Sequence, residues 1–239
     1  MVQEDKTLKI ATFQGTFNPI HNAHLAMAEY VRTHYDYDKI IFIPAYQPPH
    51  KECECNLSAH RLNMVQLAVE NAENVEYKPS PEFLSSFLAK KFNPLPKVEG
   101  IVHRNSYEVS DIEYKRNEPS FTYKTIQELY KIYDIEGKIG FIIGEDAFVQ
   151  IESWNNADEM KNMVEFIVLP RSENFNKEIF AQLGAKGYNY RVAGLKFNDI
   201  SSTEIRNLVK TSGAGSIKNL VPEKVRDYIE KNELYKQKC

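Results

Sequence analysis

The sequence predicts an α/β fold: a Rossmann-like, doubly wound and mainly parallel sheet with helices on both faces. Strand-like apolar runs alternate with segments of helical periodicity along the chain, and this alternation is typical of parallel sheets. The length of 239 residues and the hydrophobic content of 42% are enough for one such domain with a sizeable core. We therefore expect a single domain over 1–239.

The predicted strands are short apolar runs. The clearest buried strand is the run Lys-Ile-Gly-Phe-Ile-Ile-Gly at 138–144. The others are predicted at 8–13, 39–44, 75–78, 107–114, 165–169 and 190–197.

Helices are predicted between these strands, mostly from capping residues. The first follows the first strand, with apolar positions at Leu25, Met27, Ala28 and Val31. Serine N-caps predict three more: Ser58 before 59–70, Ser120 before a helix that carries Ile126 and Leu129, and Ser201 or Ser202 before 203–210, with Gly213 near its end. Pro222 is well suited to the first turn of a last helix that reaches about Asn232.

One segment interrupts the alternation. Residues 79–106 carry four prolines and the apolar cluster Phe83-Leu84-Ser85-Ser86-Phe87-Leu88. So long an irregular stretch within a compact domain indicates an insertion. Two interpretations stay open: a surface excursion without a chemical role, and a lid or subunit contact.

Composition excludes several classes of protein. A net charge of −3 argues against a general nucleic-acid binder. The acidic, polar N-terminus does not resemble a signal peptide, and no apolar run is long enough to span a membrane. Three cysteines without a disulfide-like spacing favour a reducing compartment. We expect a cytoplasmic protein without nucleic-acid or membrane partners; homo-oligomerisation stays open.

The first chemical motif lies where the first strand gives way to a helix. It reads Gly15-Thr16-Phe17-Asn18-Pro19-Ile20-His21-Asn22-Ala23-His24. Backbone N–H groups at the start of a helix favour phosphate, and two histidines three residues apart share one face of the helix. The motif predicts a phosphate-binding site.

A second motif lies far along the chain and has similar chemistry. It reads Asp199-Ile200-Ser201-Ser202-Thr203-Glu204-Ile205-Arg206. Consecutive hydroxyls at a helix start either cap the helix or donate to phosphate oxygens, and the planar fork of Arg206 matches phosphate. Alone, the segment is equally well an ordinary N-cap with a surface arginine; beside the first motif, the phosphate interpretation is favoured.

Together these motifs resemble the nucleotidyltransferase superfamily with the (H/T)xGH motif and, more narrowly, the bacterial nicotinate-nucleotide adenylyltransferase family. Other segments that resemble this family are Pro48-Pro49-His50-Lys51, Arg61, Ser120-Phe121-Thr122, Ile142-Ile143-Gly144-Glu145-Asp146, Trp154, Pro170-Arg171 and the tail from Leu220 to Tyr235. The chain departs from the family at Gln14 and Ala23, where glycine is common. Because glycine allows close approach to a phosphate, Gln14 is expected either to add bulk there or to donate a hydrogen bond.

The resemblance implies adenylyl transfer from ATP to nicotinate mononucleotide, with Mg²⁺ held mainly by the ATP phosphates and not by protein side chains. It implies catalytic roles for His21, His24 and Arg206, and a C-terminal helical part at 200–239 that completes the ATP site. The implied ATP-binding residues are Gly15, Thr16, Phe17, Asp146, Ile200, Ser201, Ser202 and Thr203. The implied residues for the mononucleotide are Asn18, His50, Lys51, Thr122, Trp154, Asn155 and Arg171.

Alternatives remain at this point. The acceptor could instead be nicotinamide mononucleotide or phosphopantetheine. The chain could be a nucleotide-binding regulator without catalysis, since Gln14 and Ala23 depart from the family, or an adenylate-forming enzyme related to aminoacyl-tRNA synthetases. Separately, His50, Cys53, Cys55 and His60 offer enough ligands for zinc, although their spacing is not that of a standard finger.

Overall fold

A computed structural model describes residues 7–48, 57–70, 106–116, 118–170, 176–194 and 200–236 of the chain. The predicted strand at 75–78, nearly all of the segment 79–106, and Cys53 and Cys55 lie outside these ranges. Within them, no helix is both long and apolar enough to cross a membrane.

Six strands and nine α-helices make up the described structure. In chain order they are β1 (Ile10–Gly15), α1 (Asn22–His34), β2 (Lys39–Pro44), α2 (Ser58–Val69), β3 (Tyr107–Val109), α3 (Ile112–Arg116), α4 (Thr122–Ile132), β4 (Ile139–Gly144), α5 (Glu145–Phe148), α6 (Ala157–Met163), β5 (Val164–Leu169), α7 (Lys177–Ala185), β6 (Tyr190–Val192), α8 (Ser202–Ser212) and α9 (Glu223–Lys231). Short 3₁₀ turns occupy Ile151–Ser153 and Ala214–Ile217.

The sheet is the predicted doubly wound one. Its order is β3-β2-β1-β4-β5-β6, and every neighbouring pair is parallel. The chain therefore builds outward from β1 in one direction, returns to the centre, and builds outward from β4 in the other. Open α/β sheets bind their ligands in a crevice beyond the carboxyl ends of the strands, at the point where the strand order reverses, which here lies between β1 and β4.

Each face of the sheet carries its own apolar cluster, because successive side chains of a strand point to opposite faces. Phe13 and Phe42 face a cluster covered by α1, α2, α8 and α9, which we call the first face. Ile10, Ile43 and Phe141 face a cluster covered by α3, α4, α6 and α7, the second face. Burial of the central strands on both sides explains why they read as continuous apolar runs.

The predicted end of the 107–114 strand is wrong. Only Tyr107–Val109 pairs with β2, and the chain then turns into α3. The Ser110 hydroxyl accepts a hydrogen bond from the Ile112 N–H at 3.3 Å, a local serine turn that ends the strand.

Two of the predicted N-caps are also wrong. α2 begins at Ser58 itself, so that Leu57 is its N-cap, and Phe121 is the N-cap of α4. The Ser120 hydroxyl instead accepts from the Gln47 N–H at 3.1 Å, in the loop after β2. The Ser120 hydroxyl thus binds a residue far away in the sequence and does not cap the helix that follows it.

The C-terminal helices follow their predicted signals. Ser201 is the N-cap of α8, and its hydroxyl accepts from the Glu204 N–H at 3.1 Å. Gly213 ends this helix with a positive φ of 77°, a conformation that glycine adopts without strain. Pro222 directly precedes α9.

Candidate active site

The loop after β1, residues 16–21, lies at the centre of the sheet, beyond the carboxyl end of β1. Phe17 turns inward with a φ of 46° and is only 3% exposed, packed edge-to-face against Phe13. A Cβ on Gly15 would lie 3.0 Å from the Phe17 ring. Glycine is therefore needed at position 15 to make room for this ring, and Phe17 can meet a ligand only through its backbone.

The carbonyl groups of this loop are bound by side chains from distant elements. Arg61 of α2 donates to the Thr16 carbonyl at 2.8 Å, and Arg206 of α8 donates to the Asn18 carbonyl at 2.8 Å. The Ser202 hydroxyl donates to the Pro19 carbonyl at 2.9 Å. These contacts fix the loop from the side of its carbonyl groups.

Three backbone N–H groups of the loop, unlike these carbonyls, lack protein partners among the described residues. Within the described residues, the backbone N–H groups of Thr16, Phe17 and Asn18 donate to no protein acceptor. A loop with three of its carbonyls bound by side chains and three N–H groups available is suited to an anion.

The two histidines lie where this loop enters α1, as predicted. His21 is the N-cap, and its ring stacks on that of His24 with centroids 3.6 Å apart. The backbone N–H of His21 donates to Nδ1 of the His24 ring at 3.2 Å. His21 is 3% exposed, and its buried Nδ1 has no hydrogen-bond partner in the described part of the chain. Burial lowers the pKa of His21 from 6.5 to about 4, so its ring is neutral at pH 7.

The C-terminal segment surrounds the same loop. The Asn22 N–H donates to the Leu220 carbonyl at 2.9 Å, and the Tyr235 hydroxyl donates to Oδ1 of Asn18 at 2.6 Å. Arg206 also donates to the Thr203 hydroxyl at 3.1 Å. Both sequence motifs therefore meet at one place.

The residues expected to bind the mononucleotide or the ribose lie around β4 and the second face. Because Phe13 pairs with Ile142, the chain beyond Gly144 emerges beside the loop after β1, and Asp146 is exposed there in α5. Trp154 is partly buried, as its polar surroundings predicted, and packs edge-to-face on Phe141 at 6.0 Å. Thr122 is the first residue of α4.

Other predicted residues have different outcomes. Asn155 is exposed beside Trp154, and Ile200 is partly buried directly before the α8 cap. His50, Lys51 and Arg171 lie outside the described residues. Among the described residues, no group of three or more His, Cys, Asp or Glu side chains is arranged to hold a metal ion. His60, from the zinc alternative, has its Nδ1 2.9 Å from the Tyr228 hydroxyl.

Gln14 projects from the carboxyl end of β1 toward the second face, since it shares the alternation of Ile10. Its neighbour in register on β2 is Ile43. Its Nε2 atom is buried and has no hydrogen-bond partner among the described residues. The side chain therefore lies on the Trp154 face of the sheet, away from α1 and the histidines.

Sequence reasoning gave Arg61 no role and did not single out Glu113 or Tyr235 as site residues. Arg61 carried one usable signal: it precedes Met64 and Val65 by three and four residues, which places a charge on the apolar face of α2. Glu113 and Tyr235 carried no comparable local signal.

Comparison with known proteins assigns the family. A family profile described as cytidylyltransferase-like matches residues 12–208. The chain is 34% identical over 236 residues to a Caldicellulosiruptor saccharolyticus protein named "Probable nicotinate-nucleotide adenylyltransferase", covering 96% of this chain and 100% of that one. It is 35% identical to a Thermoanaerobacter protein of the same name, covering 98% and 97%.

Solved structures share the fold. The nicotinic acid mononucleotide adenylyltransferase of Plasmodium falciparum, complexed with NaAD, superposes with a TM-score of 0.67 at 21% identity, covering 95% of this chain and 97% of that one. A Vibrio parahaemolyticus protein described as "a Putative Nicotinate-nucleotide Adenylyltransferase" superposes with a TM-score of 0.54 at 18% identity, covering 97% of this chain and 98% of that one.

The buried His21 predicts a pH-dependent stability. Because its folded pKa lies below that of the unfolded chain, the unfolded state binds more protons as pH falls from 6.5 to 4. The free energy of unfolding should therefore decrease over this window, by about 3 kcal/mol from this residue. Urea unfolding between pH 4 and 7 measures it. His21→Asn, which keeps a good N-cap, should lose most of this dependence, whereas His34→Asn, at the exposed end of α1, should keep it. Equal slopes in all three proteins would contradict the prediction.

Proposed function

The chain belongs to the nicotinate-nucleotide adenylyltransferases of the cytidylyltransferase-like family, and we propose how its site performs their reaction. It transfers the adenylyl group of ATP to nicotinate mononucleotide, giving nicotinate adenine dinucleotide and pyrophosphate in NAD biosynthesis. The observation that carries the proposal is the loop after β1. Side chains bind its Thr16, Asn18 and Pro19 carbonyls, while the Thr16, Phe17 and Asn18 N–H groups have no acceptor among the described residues and lie beside the stacked His21 and His24.

The chemical step is an in-line displacement at the α-phosphorus. An oxygen of the mononucleotide phosphate forms the new P–O bond, and the bond from the α-phosphorus to the bridging oxygen breaks as pyrophosphate leaves with the electron pair. The attacking oxygen is already anionic near pH 7, so no general base is needed. The protein must align two anions that repel each other and stabilise the negative charge on the reacting phosphates. Hydrogen-bond donors held in fixed positions do both.

Two helix starts bind the ATP phosphates in this proposal. The N–H groups of Thr16 and Phe17, with His21 and His24, bind near the α-phosphate. Arg206 and the start of α8 bind the β- and γ-phosphates. Since the Ser202 hydroxyl proton is directed to the Pro19 carbonyl, Ser202 contributes through its backbone N–H and through holding the loop. The Ser201 and Thr203 hydroxyls already accept bonds within α8.

His21 adds charge only when the ligand arrives. Its ring is neutral at pH 7 in this structure, because burial lowers its pKa to about 4. A neighbouring phosphate stabilises the protonated ring and raises that pKa. Either protonation state can donate one N–H bond to the phosphate.

The acceptor is placed on the other side of the crevice. The exposed part of the Trp154 ring stacks on the pyridine, and N–H groups near Thr122 and Asn155 bind the nicotinate carboxylate. Asp146 binds a ribose hydroxyl, and Asn18 lies between the substrates, held by Tyr235. The family resemblance implies that the mononucleotide is also bound by His50, Lys51 and Arg171, and the proposal keeps these roles.

Magnesium enters with the nucleotide. In this proposal the ion is bound mainly by phosphate oxygens, as Mg²⁺ often is. We therefore treat MgATP as the substrate.

The first test is pyrophosphate release from MgATP with nicotinate mononucleotide or its amide. We expect turnover with the acid to exceed turnover with the amide. His24→Ala should lower kcat/KM by about 10²–10³-fold, with a much smaller relative loss of stability, while His34→Ala at the other end of α1 leaves the rate unchanged. No turnover of either acceptor by the wild-type protein would overturn the function. Parallel loss of folding and activity in His24→Ala would make that histidine structural.

Gln14 gives a second test, since its buried Nε2, which has no hydrogen-bond partner among the described residues, lies on the acceptor face. We propose that it donates to the bound mononucleotide. Gln14→Leu should leave the free energy of unfolding unchanged or raised, because an unpartnered polar group is removed, and should raise the KM for the mononucleotide about tenfold or more. Thr12→Val, two residues earlier on the same face, should leave both KM values unchanged. An unaltered mononucleotide KM in Gln14→Leu would refute this role.

A further inference from the structure

We propose that Arg61 and Glu113 are positioning residues that hold the turn after β2 and fix its distance from the loop after β1. The turn, residues 45–47, directly precedes Pro48 and the segment that the family resemblance assigns to the mononucleotide. The inference rests on the proposed function, because it concerns how the two substrates are brought together.

The two residues are unusual in their burial. Arg61 is 0% exposed and Glu113 is 2% exposed. Charged side chains are rarely buried so fully, because they lose hydration unless hydrogen bonds replace it. Their binding partners therefore show what these charges do.

Arg61 binds both the loop after β1 and the turn after β2 with one guanidinium group. Its Nη1 donates to the carbonyls of Thr16, at 2.8 Å, and of Ala45, at 2.5 Å. Its Nη2 donates to the Tyr46 carbonyl at 3.0 Å. Thr16 follows β1 and the other two follow β2, so a single planar group sets the spacing between the ends of two adjacent strands.

Glu113 binds the opposite side of the same turn. Its Oε2 accepts from the Tyr46 N–H at 3.3 Å, and its Oε1 accepts from the Thr125 hydroxyl at 2.8 Å. The Ala45 carbonyl and the Tyr46 N–H belong to one peptide group. That peptide therefore lies between a buried cation at its oxygen and a buried anion at its hydrogen, which strengthens both bonds.

The next residue extends this attachment toward α4. The Gln47 N–H donates to the Ser120 hydroxyl at 3.1 Å, and its carbonyl accepts from the Ser120 N–H at 2.9 Å. Ser120 lies two residues before Thr122, at the proposed carboxylate site. The turn is thus bound through Arg61 to the loop after β1 on one side, and through Ser120 to the start of α4, at the proposed acceptor site, on the other.

The contacts predict different effects for the two residues. Of the two loops, Glu113 binds only the turn after β2, so its loss should impair binding of the mononucleotide. Arg61 touches both loops, so its loss should also disturb the alignment of the reacting atoms. Misalignment of about 1 Å can lower a rate about 10²-fold.

The experiment measures kcat and both KM values, with circular dichroism confirming the fold of each variant. Glu113→Leu should raise the mononucleotide KM about tenfold or more and change the ATP KM less than about twofold. Glu113→Gln, which keeps an oxygen for the Tyr46 N–H, should recover most of this loss. Arg61→Lys, which keeps the charge but loses the planar fork, should lower kcat about tenfold or more. Glu128→Leu is the matched control. Glu128 accepts from Arg116, which also donates to the Thr125 hydroxyl and lies 4.0 Å from Glu113, but Glu128 does not bind the turn.

The outcomes separate the inference from the function on which it rests. Equal increases in both KM values, or an unchanged mononucleotide KM in folded Glu113→Leu, would overturn it while the wild-type protein still turned over. If Glu113→Leu does not fold, Ser120→Ala decides, because it removes one bond to the turn and leaves both buried charges in place. Its mononucleotide KM should rise, and an unchanged value would overturn the inference.

Discussion

The site depends on a division of the hydrogen-bonding groups in the loop after β1. A backbone can present N–H groups to a phosphate only if its carbonyls are satisfied elsewhere, since a buried, unpaired carbonyl costs free energy. Here Arg61, Arg206 and Ser202 bind the carbonyls of three loop residues. The helices that carry these side chains, α2 and α8, are packed against the first face by apolar contacts that have no part in catalysis.

The order of the strands explains how one loop can meet so many elements. β1 and β4 lie at the centre of the sheet, so the chain beyond each emerges into the same crevice, with β2 next to β1. In the proposed mechanism, ATP is bound from the first face, by α1 and α8, and the acceptor from the second, by α4 and Trp154. Gln14 extends from β1 toward the acceptor side, at a position where the family commonly has glycine.

The parts of this arrangement that depend on local sequence were predictable. The sheet, the stacked histidines, the Ser201 cap and the partial exposure of Trp154 follow from apolar runs, helical spacing and polar neighbours. Ser58 and Ser120 looked like equally good caps, but both predictions were wrong. The α2 helix begins one residue earlier, at Ser58 itself, and the Ser120 hydroxyl binds a distant backbone group, the Gln47 N–H. The roles of Arg61 and Glu113 arise only when loops far apart in sequence meet, and no local pattern records which carbonyl or N–H a buried charge will bind.

A crystal structure with a non-transferable ATP analogue and nicotinate mononucleotide would show whether the loop after β1 binds phosphate through its N–H groups. We expect the α-phosphate to contact the Thr16 and Phe17 N–H groups and the two imidazoles. The attacking oxygen should then lie about 3–3.5 Å from the α-phosphorus, and the loop carbonyls should keep their bonds to Arg61, Arg206 and Ser202. Phosphates bound away from this loop, or a loop that exchanges these carbonyl contacts when the nucleotide binds, would contradict this expectation.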